Sequence, residues 1–193
     1  MTRLEKAFAL FDAYNRQDPH QITEGGTTYP AEYFYAQQLH HWVTTLYPEA
    51  GEALLLASRC QHIGRWEIPR EKYPEGKAGY LRWRQALSVL HAQKAGELLA
   101  EAGYTSEEIE PVQAIVRKSH LHQNPDSQAM ENALCLVFFA YQYEDFRQGQ
   151  SDDTVVRILK KTWKKMSEPG RAAALKLSYS EKGKALLDEA LQG

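Results

Sequence analysis

The chain is sparing with the features that most directly betray a function. Only two cysteines, Cys60 and Cys135, occur in 193 residues, and each sits in an apolar helical context. That excludes a disulfide framework and points to buried, reduced thiols in a cytosolic protein. No apolar run approaches the roughly 20 residues needed to cross a bilayer, so no membrane role is expected. The first stretch, MTRLEKAFALFDAYNRQ, is amphipathic with both charge signs, unlike a signal peptide. There is no Walker-type loop, GxGxxG, CxxC pair, HExxH or GxSxG, which removes the commonest nucleotide, redox, zinc-protease and serine-hydrolase signatures. Net charge is only −2, so nonspecific duplex binding is not expected from the whole chain. Internal repeats, low-complexity tracts and linkers are also missing. With 43% hydrophobic and 25% charged residues, residues 1–193 read as one soluble cytoplasmic domain of globular composition.

What is present is helical periodicity, and no stretch alternates convincingly as a strand. Helices are expected over about Leu4–Arg16, Ala31–Tyr47, Glu49–Arg65, Tyr80–Ala102 and onward to about Leu121, with a Gly25-Gly26 loop before the second. Trp66 to Gly79 reads as a Pro-rich loop. Gly103 closes the long helix as a C-cap. Thr105-Ser-Glu-Glu108 has capping-box spacing, although Pro111 moves the expected helix start nearer Glu110. Asn124-Pro125-Asp126 opens a strongly apolar helix, Ser151-Asp152-Asp153 caps the next, and Ser167-Glu-Pro-Gly170 precedes one or two short helices. The fold class is all-α, a bundle of about eight helices, with a core over about 30–146 and C-terminal helices over 151–191.

Charge is unevenly spread. Between positions 59 and 84, Arg59, Arg65, Arg70, Lys72, Lys77, Arg82 and Arg84 meet only Glu67, Glu71 and Glu75, so the segment is about +4 and the remainder about −6. This is a candidate anion site. A second basic run, RILKKTWKKM, reads as a solvated helix face with Trp163 in the core.

Polar residues among apolar neighbours carry the most information, because burying them is costly unless they are paired or bound. Glu131 shares a stripe with Leu134, Cys135 and Phe138. His91 follows Leu87 and precedes Ala95 and Leu98. Glu32 sits with Tyr35, Ala36 and Leu39, although an acid in a first turn is favoured by the helix dipole alone. His62 ends the third helix, and His120 stands one turn after Val116. Each alone has an ordinary explanation as a bonded core residue. His20, His40, His41 and His122 are assigned no role, the last three because they fall on or near exposed faces. Imidazoles and carboxylates converging from several helices of a bundle would suit Zn, Mn or Fe.

Over about Glu32 to Phe146 the chain resembles the HD-domain superfamily. "LLLASRCQHIGRW" resembles that family's His-Asp segment, with Gln61 and His62 in the two places. "LHAQKAGELLAEAGY", "VQAIVRKSHLH" and "MENALCLVFF" resemble later ligand segments, supplying His91, His120 and Glu131, while Glu32 takes the first histidine's place. The resemblance implies an HD-like fold and a metal held by Glu32, His62, His91, His120 and Glu131. The pair here departs from His-Asp, so such a site would be rearranged. More closely, "QHIGRWEIPREKYPEGKAGYLRWR" resembles the signature of an uncharacterised domain-of-unknown-function family.

The leading expectation is a metal-dependent hydrolase acting on a phosphorylated small molecule, a nucleotide foremost. Arg65, Arg70, Arg82 and Arg84 would clamp the anion, Trp66 and Trp83 would stack on a ring, and Gln61 and His62 would act at the reaction centre. A structural staple of the Pro-rich loop is the competing account of the arginines and tryptophans. The other functional readings are a metal-free domain binding a phosphate ligand or RNA, and an HD-type diiron oxygenase.

Overall fold

The computed structural model describes residues 1–118 and 123–192, and helix dominates throughout. α1 (Arg3–Asn15) opens on a capping box, the Thr2 hydroxyl accepting the Glu5 N–H at 3.2 Å and the Glu5 carboxylate accepting the Thr2 N–H at 2.7 Å. The stretch expected to be loop is an antiparallel hairpin, β1 (Gln21–Glu24) and β2 (Thr27–Pro30). Its turn needs two left-handed residues, supplied by Gly25 and Gly26 at φ +57° and +79°. That Gly-Gly pair was the available signal.

α2 (Ala31–Leu46), α3 (Glu52–Cys60), α4 (Gly76–Ala102) and α5 (Ser106–Val116) follow, with 3₁₀ turns at Arg65–Glu67 and Arg70–Lys72. α4 runs 27 residues, about 40 Å, and packs on α1 and α5, while α3 packs on α2 and α5. Phe11, Leu54, Leu56, Ile63, Leu87, Leu99 and Ile115 form the buried core of these elements. α5 starts at its Thr105–Glu108 capping box, not near Glu110, and carries Pro111 inside the helix. It stops at Val116, short of the expected Leu121. α6 (Pro125–Tyr141) begins after Asn124, whose side-chain oxygen accepts the N–H of Asp126 at 2.9 Å.

The chain divides into two compact units, Met1–Ser127 and Gln128–Gly193. Because the division falls in the first turn of α6, no linker composition marks it. The second unit holds the rest of α6, then α7 (Tyr143–Gln148), α8 (Asp152–Lys165), α9 (Glu168–Ala174) and α10 (Glu181–Leu191). α10 packs against α8 and α7. Tyr143 is fully buried among Phe138, Phe139 and Tyr179, and its hydroxyl donates to Gly183 O at 2.8 Å. Asn132 ties α6 to the start of α9, donating to Ser167 Oγ at 2.7 Å and accepting the Ser167 N–H at 2.9 Å. The all-α class stands, with ten α-helices among the described residues instead of about eight. One of the additions is α7, set off from α6 at Gln142. No described helix is long and apolar enough to cross a membrane.

Candidate functional site

The QHIGRW segment forms one wall of a cleft because α3 stops early. Gln61, at the C-cap of α3, donates its amide N–H to Val116 O, near the end of α5, at 2.9 Å. The chain then turns at Gly64, whose φ of +71° is left-handed and where a Cβ would stand 2.7 Å from a Glu67 carboxylate oxygen. This turn sets His62 beside His91 of α4, ring centroids 5.7 Å apart. His91 is 3% exposed, with Nδ1 2.7 Å from Ile63 O. A carbonyl only accepts, so Nδ1 carries the proton and Nε2 keeps its lone pair.

The cleft has a volume of about 230 Å³. Gln61, His62 and Arg65 line it from the α3 end, Arg84, Gln85, Leu87, Ser88 and His91 from α4, and Val116, Arg117 and Lys118 from the α5 end. Among the described residues four cations thus surround two imidazoles, and none of the lining is an acid. Burial first, then Arg65, His91, Lys118 and Arg84, pushes His62 well below its ordinary value. Burial also lowers His91 to about 4, with Arg65 and Arg84 adding to the fall against the Ile63 hydrogen bond. Both rings are therefore neutral at pH 7. Gln61 is 3% exposed, and its Oε1 has no hydrogen-bond partner among the described residues. Lys118 holds φ +57°, a left-handed conformation disfavoured for a residue with a Cβ.

Other candidate residues fall elsewhere. Glu32 does not line the cleft but stands behind Arg65, its carboxylate 3.6 Å from Arg65 Nε, beyond hydrogen-bond range. Burial pushes its carboxyl up to about 8, against Arg65 and assisted by Asp18. The Arg65 guanidinium lies 5.0 Å over the Trp83 ring, and Trp83 donates its indole N–H to Ile68 O at 2.8 Å. Trp66 packs on Tyr14, centroids 5.8 Å apart, and neither tryptophan lines the cleft. Arg70 donates to Tyr73 O and Pro74 O at 2.9 and 3.0 Å, which fastens its own loop. Arg82 is exposed on α4 outside the cleft lining. Arg59, counted with the basic segment, is buried and bonded to Asp12 and Gln37. His40, expected near an exposed face, is half-buried with Nδ1 2.8 Å from Ser58 Oγ. His120 and His122 lie outside the described residues. Glu131 belongs to the second unit, where it is 4% exposed and 3.6 Å from Lys165 Nζ.

The implied metal therefore lacks a competent donor set among the described residues. Among the described residues no group of three or more His, Cys, Asp or Glu could share an ion. Two imidazoles ringed by four cations do not by themselves suit a divalent metal. Gln85, Ser88, Arg117 and Lys118 were not anticipated. The available signal was the basic pair Arg117-Lys118 directly after the apolar end of α5.

A family model described as "Domain of unknown function (DUF4202)" matches residues 5–187. The chain belongs to that family. Comparison with curated proteins and with solved structures gives no match. In this DUF4202 member the match takes in every residue that lines the cleft.

Proposed function

We infer that the first unit binds a phosphorylated small molecule, with nucleotides the foremost class, in the His62–His91 cleft. The supporting observation is the lining itself, Arg65, Arg84, Arg117 and Lys118 with no acidic residue among the described residues of the pocket. Arginine forks match phosphate oxygens in pairs, and a lysine adds a point charge. The imidazoles supply hydrogen bonds and no charge at neutral pH, since burial and neighbouring cations lower both. An imidazole held that far below neutrality is a weak general base, which favours binding over turnover in the absence of another group.

The HD-like metal-dependent hydrolase is the second reading. It is supported by the fixed tautomer of His91, which leaves Nε2 as a lone-pair donor beside His62. The donor set described above does not complete a metal site, so no catalytic step is derived through one.

Calorimetric titration with phosphate esters and nucleotides tests the first reading. Wild-type protein binds, and Arg84→Ala/Lys118→Ala loses at least about tenfold in affinity, the scale of one or two charge-assisted contacts. A failure of every phosphate ester to bind sinks the first reading. Elemental analysis after reconstitution, against His62→Ala/His91→Ala, tests the second, which cannot survive a wild type without stoichiometric transition metal.

A further inference from the structure

In the second unit, α8 carries a set of cations that form no ion pair among the described residues. Val155 and Leu159 bury one face of the helix. Arg157, Lys160, Lys161 and Lys164 follow at i, i+3, i+4 and i+7, one stripe about 10 Å long. With Asp153 and Val156 they line a groove of about 340 Å³. Arg157, Lys161 and Lys164 are exposed and Lys160 is half-buried. None of the four makes an ion pair among the described residues.

Nearby acids do not answer them. Glu131 lies by Lys165, Glu144 binds Arg147 at 2.6 Å, Asp152 meets Lys182, and Asp188 meets Lys184 at 2.5 Å. Asp153 lies one turn before Arg157 yet forms no ion pair with it. Like charges one turn apart repel, so the stripe weakens its own helix unless an external anion neutralises it.

The form of the groove narrows the class of anion. Among the described residues no aromatic lines it, because the Trp163 ring is turned to Arg171 at 5.8 Å. Val156, the one apolar residue among the described lining, is 8% exposed. The groove thus lacks both a platform for stacking bases and the apolar anchor that a protein partner would use. Repeated negative charge is what it can recognise. We propose that the α8 stripe binds the phosphate backbone of a nucleic acid without regard to base sequence, at a site sharing no residue with the cleft of the first unit.

The test uses fluorescence anisotropy of the full chain with a labelled single-stranded RNA and a DNA duplex of mixed sequence, across 50–300 mM salt. Four neutralised phosphates give a slope of log K against log salt of about −3 for the single strand and about −3.6 for the duplex. Lys161→Glu/Lys164→Glu, with thermal melting checked first, should bind at least about tenfold more weakly and halve the slope. Arg84→Ala/Lys118→Ala should bind as wild type does. Absence of binding at 50 mM salt overturns the proposal, as does wild-type affinity in the α8 variant or loss confined to the cleft variant. Tighter binding of labelled poly-glutamate than of either nucleic acid also overturns it and assigns the stripe to an acidic protein.

Discussion

At Gln61 the amide nitrogen has its partner, Val116 O at 2.9 Å, while the equally buried oxygen has none. A buried acceptor without a donor costs about 1–3 kcal/mol, and the hydrogen bond returns only about 1 kcal/mol. In stability terms the amide is therefore poorly justified, and its oxygen is free for a ligand hydroxyl or amino group. Gln61→Met keeps the volume and removes the orphaned oxygen but takes the Gln61 donor from Val116 O, so the two effects offset and thermal unfolding should stay within about 1 kcal/mol of wild type. Affinity for a hydroxyl-bearing phosphate ester should fall about tenfold, while inorganic phosphate binds unchanged. A large loss of stability with unaltered ligand affinity would make the amide purely structural. The same scale separates the arginines. Arg59 and Arg70 have their forks filled by Asp12 with Gln37, and by Tyr73 O with Pro74 O, whereas Arg65 and Arg84 line the cleft. Residue type did not distinguish them in the sequence, because Asp12 reaches Arg59 from 47 positions away.

At the scale of elements, the end of α5 is where local preference and site geometry disagree. Lys118 stands just past the helix in a left-handed conformation that asparagine or glycine adopts more easily. That conformation places a lysine among the residues lining the cleft. Replacing it with asparagine should leave the protein as stable or more stable, by up to about 1 kcal/mol in urea unfolding, while weakening phosphate-ester binding. Lower stability together with full binding would remove Lys118 from the site. Helix existence was legible from apolar spacing, and several ends were legible from Asn124, Ser151 and Gly103, whereas the Thr105–Glu108 signal was set aside for Pro111. The early stop of α3 was not, because it involves a long-range bond from Gln61 to Val116 as well as the turn at Gly64. His62 and His91 were visible as polar residues on apolar faces. Arg117 and Lys118 were not, since only tertiary packing brings the end of α5 to α4.

At the scale of the whole molecule, His40, His62, His91 and Glu32, all in the first unit, pull the pH dependence of stability in opposite directions. His40 and His91 are lowered to about 4 and His62 well below 6.5, each primarily by burial. Below pH 6.5 the unfolded chain takes up protons that these folded imidazoles exclude, so their effect is a loss of stability as pH falls. Glu32 works in the other direction. Its folded value of about 8 against 4.5 means that the fold keeps a proton the unfolded chain has released, so stability falls as pH rises through that window. Between pH 4.5 and 6.5 three histidines oppose one glutamate and stability climbs with pH. From 6.5 to 8 Glu32 acts without them and stability declines, by up to about 1.4 kcal/mol per pH unit. Urea unfolding followed by tryptophan fluorescence at pH 5–9 should therefore show a maximum near pH 6.5. Glu32→Gln should flatten the alkaline side and steepen the acid side, where the glutamate no longer opposes the three histidines. An identical decline above pH 6.5 in that variant would mean that Glu32 is not the group responsible.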